Sequence, residues 1–359
     1  MSSYRLDRRQ FLAGSTAAFG LGALPMGAFA QTASIGAVMP GVLLPEGLRP
    51  AAEAAIGGQL ENLPYVSPTD TVARLLAPGA QGRYDLVINM MNFVTDPLMA
   101  ADALEPFDMS QIPNWDQLAP EWKEKAIVRD GKVYMIPCMW AYDSFLYNKD
   151  FIPEDDEVTQ SWGVLFDDRY AGRVAPRDDA YQTIALTALY LGVEEPATMS
   201  RAELNEVLAF LTSKKKNFRT LWSSFGEAVN LMASQEVWGL LGWMPMRLQM
   251  QQQGLNVTNN WPKEGLLTFE NGIFMPKGSQ KAEMVHRAAN FFISEEYAAG
   301  MAAATDYGVT NQAVIDSFSP ETVARVGYDI FERGVKTYPY TWPEDMDAWI
   351  EGWNAFKVA

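Results

Sequence analysis

Apolar runs bounded by polar residues recur along the chain. One such run covers residues 84–89, and others cover 133–136, 144–147 and 237–243. Runs of this length, too short for most helices and closed off on both sides, are typical of buried strands. The pattern therefore predicts at least four strands that lie inside a sheet.

Amphipathic segments separate these runs. Ser200 and Glu203 have the spacing of a capping box, and the apolar residues that follow share one helical face. Ser279 precedes a second periodic segment, which predicts a helix over residues 281–296, and Ser319 stands before a proline at a further helix start. Strands that alternate with helices predict an α/β protein.

The chain is long enough for two domains of ordinary size, since it has 359 residues. It contains no internal repeat, no low-complexity tract and no long linker. We therefore expect two interwoven α/β lobes rather than two domains joined by a flexible connection.

The first thirty residues have the features of an export signal. Arg8-Arg9-Gln10-Phe11-Leu12 leads into a weakly apolar stretch that ends in Ala28-Phe29-Ala30. Glycines and a proline interrupt the stretch, so it predicts a cleaved signal of the twin-arginine type rather than a membrane anchor. We expect residues 1–30 to be recognised by the twin-arginine export machinery and the mature protein, from about Gln31, to be periplasmic.

The formal net charge of −16 makes the chain strongly acidic, and removal of the signal makes it more acidic because the signal carries more arginines than acids. Such a charge repels nucleic acid and anionic membranes. It favours a cationic or zwitterionic solute as the small-molecule partner.

The residue inventory disfavours catalysis. The chain has one cysteine, Cys138, and one histidine, His286, so it offers neither a disulfide nor the clusters that bind zinc or iron. It lacks the phosphate-binding and nucleophile-elbow motifs, and the adjacent acids Asp178 and Asp179 are typical of a solvated turn. We expect no catalytic residue, no metal and no cofactor.

Several segments occur in an order and spacing that resemble the periplasmic spermidine/putrescine-binding proteins, a family of receptors for ABC importers. The matching pieces are Tyr84-Asp85-Leu86-Val87, Ile136-Pro137, Trp140, Ser161-Trp162-Gly163-Val164-Leu165-Phe166, Tyr170-Ala171-Gly172-Arg173, Asp178-Asp179-Ala180, Trp243, Trp261-Pro262-Lys263-Glu264-Gly265 and Met275-Pro276. The resemblance extends from about residue 84 to 311.

This resemblance implies a two-lobed periplasmic-binding-protein fold of the type II kind. Each lobe would be a mixed sheet flanked by helices, with the ligand cleft between the lobes. The N-terminal lobe would comprise residues 31–138 and 265–310, and the C-terminal lobe 139–264 and 311–359. Closure about the crossing strands would enclose the ligand and present it to a permease in the inner membrane, and the protein would act as a monomer.

The family's ligand-binding positions are only partly matched. By the resemblance, Asp179 is an anchoring acid for an ammonium, and Trp243 and Tyr307 are aromatic walls. Each also has a purely structural interpretation: Asp179 as a helix cap, Trp243 as a core residue and Tyr307 as a loop residue.

Other positions depart from the family pattern. Gln182 and Asn271 replace acids, Phe269 replaces a tryptophan, and Met90 and Asn92 replace a serine and a tyrosine. The loss of two carboxylates weakens binding of a second ammonium, because a buried charge without a partner is costly to desolvate. We therefore predict a monoamine or zwitterion as the ligand.

Arg247 leaves two interpretations open, since it could bind a ligand carboxylate or be a surface cation. Two further functions also remain open. The protein could be a true spermidine/putrescine receptor that uses nearby acids such as Asp143 and Asp178, or a periplasmic hydrolase or lyase on a similar fold. A ferric receptor with tyrosine ligands has less support, because no two tyrosines are adjacent.

Overall fold

Two β-sheets of unequal size organise the computed structural model of the protein, which describes residues 33–330 and 332–359. The strands are β1 (Ser34–Val38), β2 (Gln59–Leu63), β3 (Leu86–Met90), β4 (Leu104–Glu105), β5 (Ile127–Arg129), β6 (Lys132–Tyr142), β7 (Ser144–Asn148), β8 (Val174–Ala175), β9 (Gly239–Gly242), β10 (Val257–Asn259), β11 (Leu266–Pro276), β12 (Gly308–Val309) and β13 (Thr337–Pro339). The predicted export signal lies outside the described residues.

Helices flank both sheets. They are α1 (Arg49–Ile56), α2 (Pro68–Leu76), α3 (Met91–Ala100), α4 (Pro120–Glu124), α5 (Ala180–Tyr190), α6 (Arg201–Ser213), α7 (Phe225–Ala233), α8 (Met244–Gln252), α9 (Ala282–Phe291), α10 (Glu295–Thr305), α11 (Gln312–Asp316), α12 (Pro320–Val326) and α13 (Met346–Val358). The alternation of strands and helices confirms the predicted α/β fold with two lobes.

The larger sheet has nine strands and a central order of β12-β6-β11-β3-β1-β2. β1 pairs in parallel with β2 and β3, whereas β11 is antiparallel to β3 and β6. All residues of β11 are buried, which fits a strand in the middle of a sheet that is covered on both faces. The smaller sheet has four strands in the order β10-β7-β9-β8.

Asp143 marks the point at which the chain passes from the larger sheet to the smaller one. It follows β6 and precedes β7, and its backbone N–H donates to the Leu267 carbonyl at 2.9 Å. The chain returns between β10 and β11. Near the C-terminus β13 pairs with β11 of the larger sheet, while α13 contacts α5 and α6. The lobe boundaries given above stay a prediction.

The helix starts read from the sequence agree with the structure at two of three places. Ser200 and Glu203 form the complete capping box of α6, and Ser319 accepts a hydrogen bond from Thr322 N at the start of α12. The prediction of one helix over 281–296 was wrong, because Ser294 caps a new helix, α10, and α9 ends at Phe291. Across the described part of the chain, no helix is long and apolar enough to span a membrane.

Candidate functional site

A cavity of about 320 Å³ is lined by residues from both sheets and the loops beside them. β11 of the larger sheet contributes Phe269 and Asn271, and Trp243 follows β9 of the smaller sheet. Its lining also includes Pro40, Gly41, Val42, Leu43, Tyr65, Val66, Met90, Arg177, Trp222, Ser223, Ser224, Phe225 and Tyr307. Aromatic rings supply much of this lining, which suits the apolar part of a small ligand.

A β-bulge in the larger sheet lies beside the cavity. Asn271 pairs with Met139, but the next residue, Gly272, pairs with Pro137, so Cys138 is the extra residue of β6. The Cys138 thiol donates to the Asn271 carbonyl at 3.3 Å. Bulges change the direction of neighbouring side chains and are frequent next to binding sites. Pro137 adjoins this bulge, and bulges are among the places where a sheet tolerates proline.

Trp243 is held in place by a carboxylate behind the cavity wall. Its indole Nε1–H donates to Asp143 at 2.7 Å, and Tyr340 donates its hydroxyl to the other oxygen of Asp143 at 2.6 Å. Asp143 is completely buried. Burial raises the pKa of this carboxyl to about 6, although the two hydrogen bonds oppose the shift.

Arg177 lies against two tryptophans at the cavity. Its guanidinium carbon is 4.9 Å from the centroid of the Trp243 ring and 5.8 Å from that of Trp222. These are distances at which a cation is attracted to an indole face. Burial lowers the pKa of Arg177. The Asp179 carboxylate is the largest of several negative groups that raise it, and the pKa is raised overall.

Asp179 has two structural roles. One oxygen accepts a hydrogen bond from Gln182 N at 2.8 Å and caps α5, and the other lies 3.7 Å from a terminal nitrogen of Arg177. The resemblance implied that Asp179 anchors an ammonium, with a helix cap as the alternative, and the structure contains the cap. In the structure its charge already faces a guanidinium, which weakens its attraction for a second cation.

Two polar groups on the cavity lining have no partner among the described residues. They are the indole N–H of Trp222, which is 1% exposed, and the amide oxygen of Asn271, which is 3% exposed. Buried polar groups almost always form hydrogen bonds. Each atom is covered by neighbouring atoms, so contact with a ligand in the cavity requires a small shift of the lining.

A second cavity, of about 380 Å³, adjoins the first and shares Val66, Met90, Arg177 and Ser223 with it. Asp178 and Asp179 line this second cavity. Asp178 accepts hydrogen bonds from Trp353 Nε1 at 2.7 Å and from Lys357 Nζ at 3.1 Å. Its charge is thus paired as well.

Five of the nine residues predicted as ligand-binding line the first cavity together: Met90, Trp243, Phe269, Asn271 and Tyr307. Tyr307 packs edge-on against Phe269, with ring centroids 5.9 Å apart. Asp179 lines the adjoining cavity. The ligand-binding role of each residue stays a prediction.

The other three predicted residues lie elsewhere. Gln182 is completely buried in the first turn of α5. Arg247 is buried and paired with Asp306 at 3.0 Å, so it is not the surface cation of the alternative interpretation. Asn92 lines a cavity of about 630 Å³ beside Glu270, a neighbour of Phe269 and Asn271 on β11. Alternate residues of a strand face opposite sides of a sheet.

Arg177 and Trp222 were not predicted from the sequence. Arg177 directly precedes the two acids that match the family, and Trp222 precedes the serines at the start of α7. Neither position shows by itself that the two side chains meet at one cavity. Their association depends on the pairing of the segment before α5 with the segment before α7, at the bridge between Arg177 and Trp222.

The sole histidine and cysteine of the chain have structural roles. His286 Nε2 accepts from the Asp108 backbone N–H at 2.8 Å, so Nδ1 carries the proton that is donated to the Ala282 carbonyl at 2.6 Å. Burial raises the pKa of the Cys138 thiol. In the described ranges, no group of three or more histidine, cysteine or acidic residues is placed to hold a metal ion.

Comparison with known proteins gives a consistent result. The family of bacterial extracellular solute-binding proteins matches residues 49–326. The putrescine-binding periplasmic protein PotF of Escherichia coli is 24% identical over 261 residues, which are 68% of this chain and 70% of that protein. The spermidine/putrescine-binding periplasmic protein of the same organism is 24% identical over 254 residues, 70% of each chain.

Solved structures share the fold. The TpPotD lipoprotein of Treponema pallidum superimposes with a TM-score of 0.74 at 19% identity. The match covers 91% of this chain and 100% of that chain. At this identity the likeness establishes a common architecture and leaves the ligand open.

Proposed function

The chain belongs to the family of bacterial extracellular solute-binding proteins, and we propose that it binds a small amine-bearing or zwitterionic solute in the cavity between its two sheets. It is the receptor of an ABC importer, and its partner is the permease in the inner membrane. No bond of the solute is broken, and the solute is released unchanged. The protein works as a periplasmic monomer after export by the twin-arginine machinery.

One observation carries the proposal for the ligand site. The aromatic lining comes from both sheets, with Phe269 on β11 and Trp243 after β9. The chain passes between these sheets at Asp143 and again before β11. A ligand that contacts both walls favours the arrangement in which they are close, which is how hinge closure is coupled to binding.

The aromatic walls also suit an amine. Methylene groups pack on Phe269 and Tyr307, and an ammonium is attracted to ring faces once water is excluded. The names of the relatives, which include putrescine and spermidine, support an amine as part of the solute. The charge of Arg177, on the same lining, affects which group the other end of the solute can carry.

A thermal-shift screen of the purified protein tests the proposal. The solutes are putrescine, spermidine, monoamines, amino acids, betaines and sugars, each at millimolar concentration. A ligand at one hundred times its Kd stabilises the folded state by about 2.7 kcal/mol. We expect a rise in Tm with at least one amine or zwitterion. A rise with sugars alone would contradict the proposed ligand class, and no rise with any solute would contradict the receptor function.

A further inference from the structure

The Arg177 guanidinium has no hydrogen-bond acceptor in the part of the chain that the structure describes. Its nearest carboxylate oxygen, on Asp179, is 3.7 Å away, which is beyond hydrogen-bonding distance. The side chain is nevertheless only 15% exposed. A guanidinium has five N–H donors, so Arg177 offers these donors to water or to a solute in the cavity.

Arg177 is also the sole charged residue that lines the 320 Å³ cavity within the described residues. In the adjoining cavity the acids Asp178 and Asp179 are paired with Lys357 and Arg177. A diamine in the first cavity would therefore meet a cation and find no free carboxylate. Uncompensated like charge in a desolvated site costs several kcal/mol.

A neutral donor on the same lining favours an anionic group as well. The Trp222 indole N–H is buried and has no partner within residues 33–330 and 332–359. Ser223, Ser224 and Phe225 also bring the start of α7 to the cavity, but the Glu227 carboxylate in its first turn already accepts from Ser223 N at 2.8 Å. Arg177 and Trp222 are therefore the donors that favour an anionic group.

We infer that the solute carries a carboxylate and that the Arg177 guanidinium binds it in the cavity between the two sheets. This inference rests on the proposed receptor function and narrows its ligand to a zwitterion. Arg177 presents a planar pair of donors that matches the two oxygens of a carboxylate. A small shift of the lining would bring the Asn271 oxygen, which has no partner among the described residues, to one N–H of the ammonium, and the aromatic rings cover the carbon chain between the charges.

The test compares solutes of equal length that differ at one end. The probes are the unbranched amino acids from glycine to 6-aminohexanoate, the 20 common α-amino acids, and the diamines with the same numbers of carbon atoms as the unbranched series. Binding to the full-length protein is measured by calorimetry at low and at physiological salt. We expect an amino acid to bind at least about tenfold more tightly than the diamine of equal length, a difference of 1.4 kcal/mol.

Arg177→Gln should lower the affinity for the carboxylate-bearing solute at least about tenfold. The same change frees Asp179 and should raise the affinity for the matched diamine. Arg177→Lys keeps the charge without the paired donors. Its affinity for the carboxylate-bearing solute should lie between those of the normal protein and of Arg177→Gln. The matched control is Arg173→Gln, because Arg173 also lies over a tryptophan, Trp238 at 5.1 Å, but is exposed and outside both cavities.

Each outcome separates the inference from the function on which it rests. Tighter binding of diamines to the normal protein, or carboxylate affinity that Arg177→Gln leaves intact, overturns the carboxylate assignment and preserves the receptor function. Binding of neutral solutes alone also overturns the carboxylate assignment and preserves the receptor function. Failure of every amine, amino acid, betaine and sugar to bind overturns both.

Discussion

The guanidinium of Arg177 lies 4.9 Å from the centre of the Trp243 ring, whose own N–H donates to Asp143 at 2.7 Å. A cation at the cavity, an aromatic wall and a buried carboxylate thus contact one another in a row. Asp143 stands where the chain passes from the larger sheet to the smaller one. The orientation of the wall is therefore tied to the position of the crossing.

Trp243→Ala should lower the affinity for the solute at least about tenfold, because the change removes a cavity wall and the ring beneath Arg177. The matched control is Trp238→Ala, since Trp238 stacks on Phe151 and does not line either cavity. Calorimetric titration of both variants measures the effect. Equal affinities for the two variants would show that Trp243 is not a wall of the site.

Asp143 should give the protein a measurable pH dependence. Its pKa is raised from the ordinary value of 3.8 to about 6 by burial, so the folded state binds a proton more tightly than the unfolded state. Stability from this group is therefore greatest below about pH 4 and decreases as the pH rises to about 6. Asp143→Asn should remove this contribution.

Urea denaturation of the normal protein and of Asp143→Asn at intervals from pH 4 to 7 measures the difference. The free energy of unfolding of the normal protein should decline relative to that of the variant across this range. A constant difference between the two proteins would mean that Asp143 titrates at its ordinary pKa.

Asn271→Asp should strengthen diamine binding. The change places a negative charge at a cavity-lining position that is 3% exposed, and charge-assisted hydrogen bonds to ammonium are about twice as strong as neutral ones. Asn62→Asp adds the same charge at an exposed position of β2 and serves as the control. Unchanged affinities in Asn271→Asp would place this side chain outside the site.

Arg247→Gln should destabilise the protein by about 3 kcal/mol without changing its solute affinity. Arg247 is paired with Asp306, which is 2% exposed and is also contacted by Arg325 at 2.9 Å. Removal of one partner leaves a buried charge undercompensated.

Arg325→Gln is the comparison for this change, because Arg325 is half exposed and its loss should cost less. Thermal unfolding and solute titration together distinguish the roles. A loss of affinity with little change in stability would instead make Arg247 a ligand-binding residue.

Much of the fold could be predicted from the sequence. Some of its signals involve residues only a few positions apart, and others are short segments that occur in a fixed order along the chain. The capping box at Ser200 depends on residues three apart, and the structure contains it. The two-lobed architecture followed from a series of short segments in a fixed order. The break between α9 and α10 was missed because the apolar period continues through the cap at Ser294.

The cavity was only partly predictable. Trp243, Phe269 and Tyr307 line it because the fold brings together the positions that the resemblance implied. Asn92 does not, since Met90 ends β3 and the chain turns into α3 directly afterwards. Arg177 could not be recognised, because a polar residue before two acids resembles a surface turn until Trp222 and Trp243 are placed beside it.

Recovery of the bound solute tests most directly whether the protein is a receptor. The protein is incubated with the tightest-binding solute of the thermal-shift screen, freed of excess by gel filtration, and denatured, and the released molecule is identified and counted by mass spectrometry. We predict one solute per chain, recovered with unchanged mass after prolonged incubation. A product of altered mass that accumulates beyond one equivalent would contradict the receptor function and indicate an enzyme.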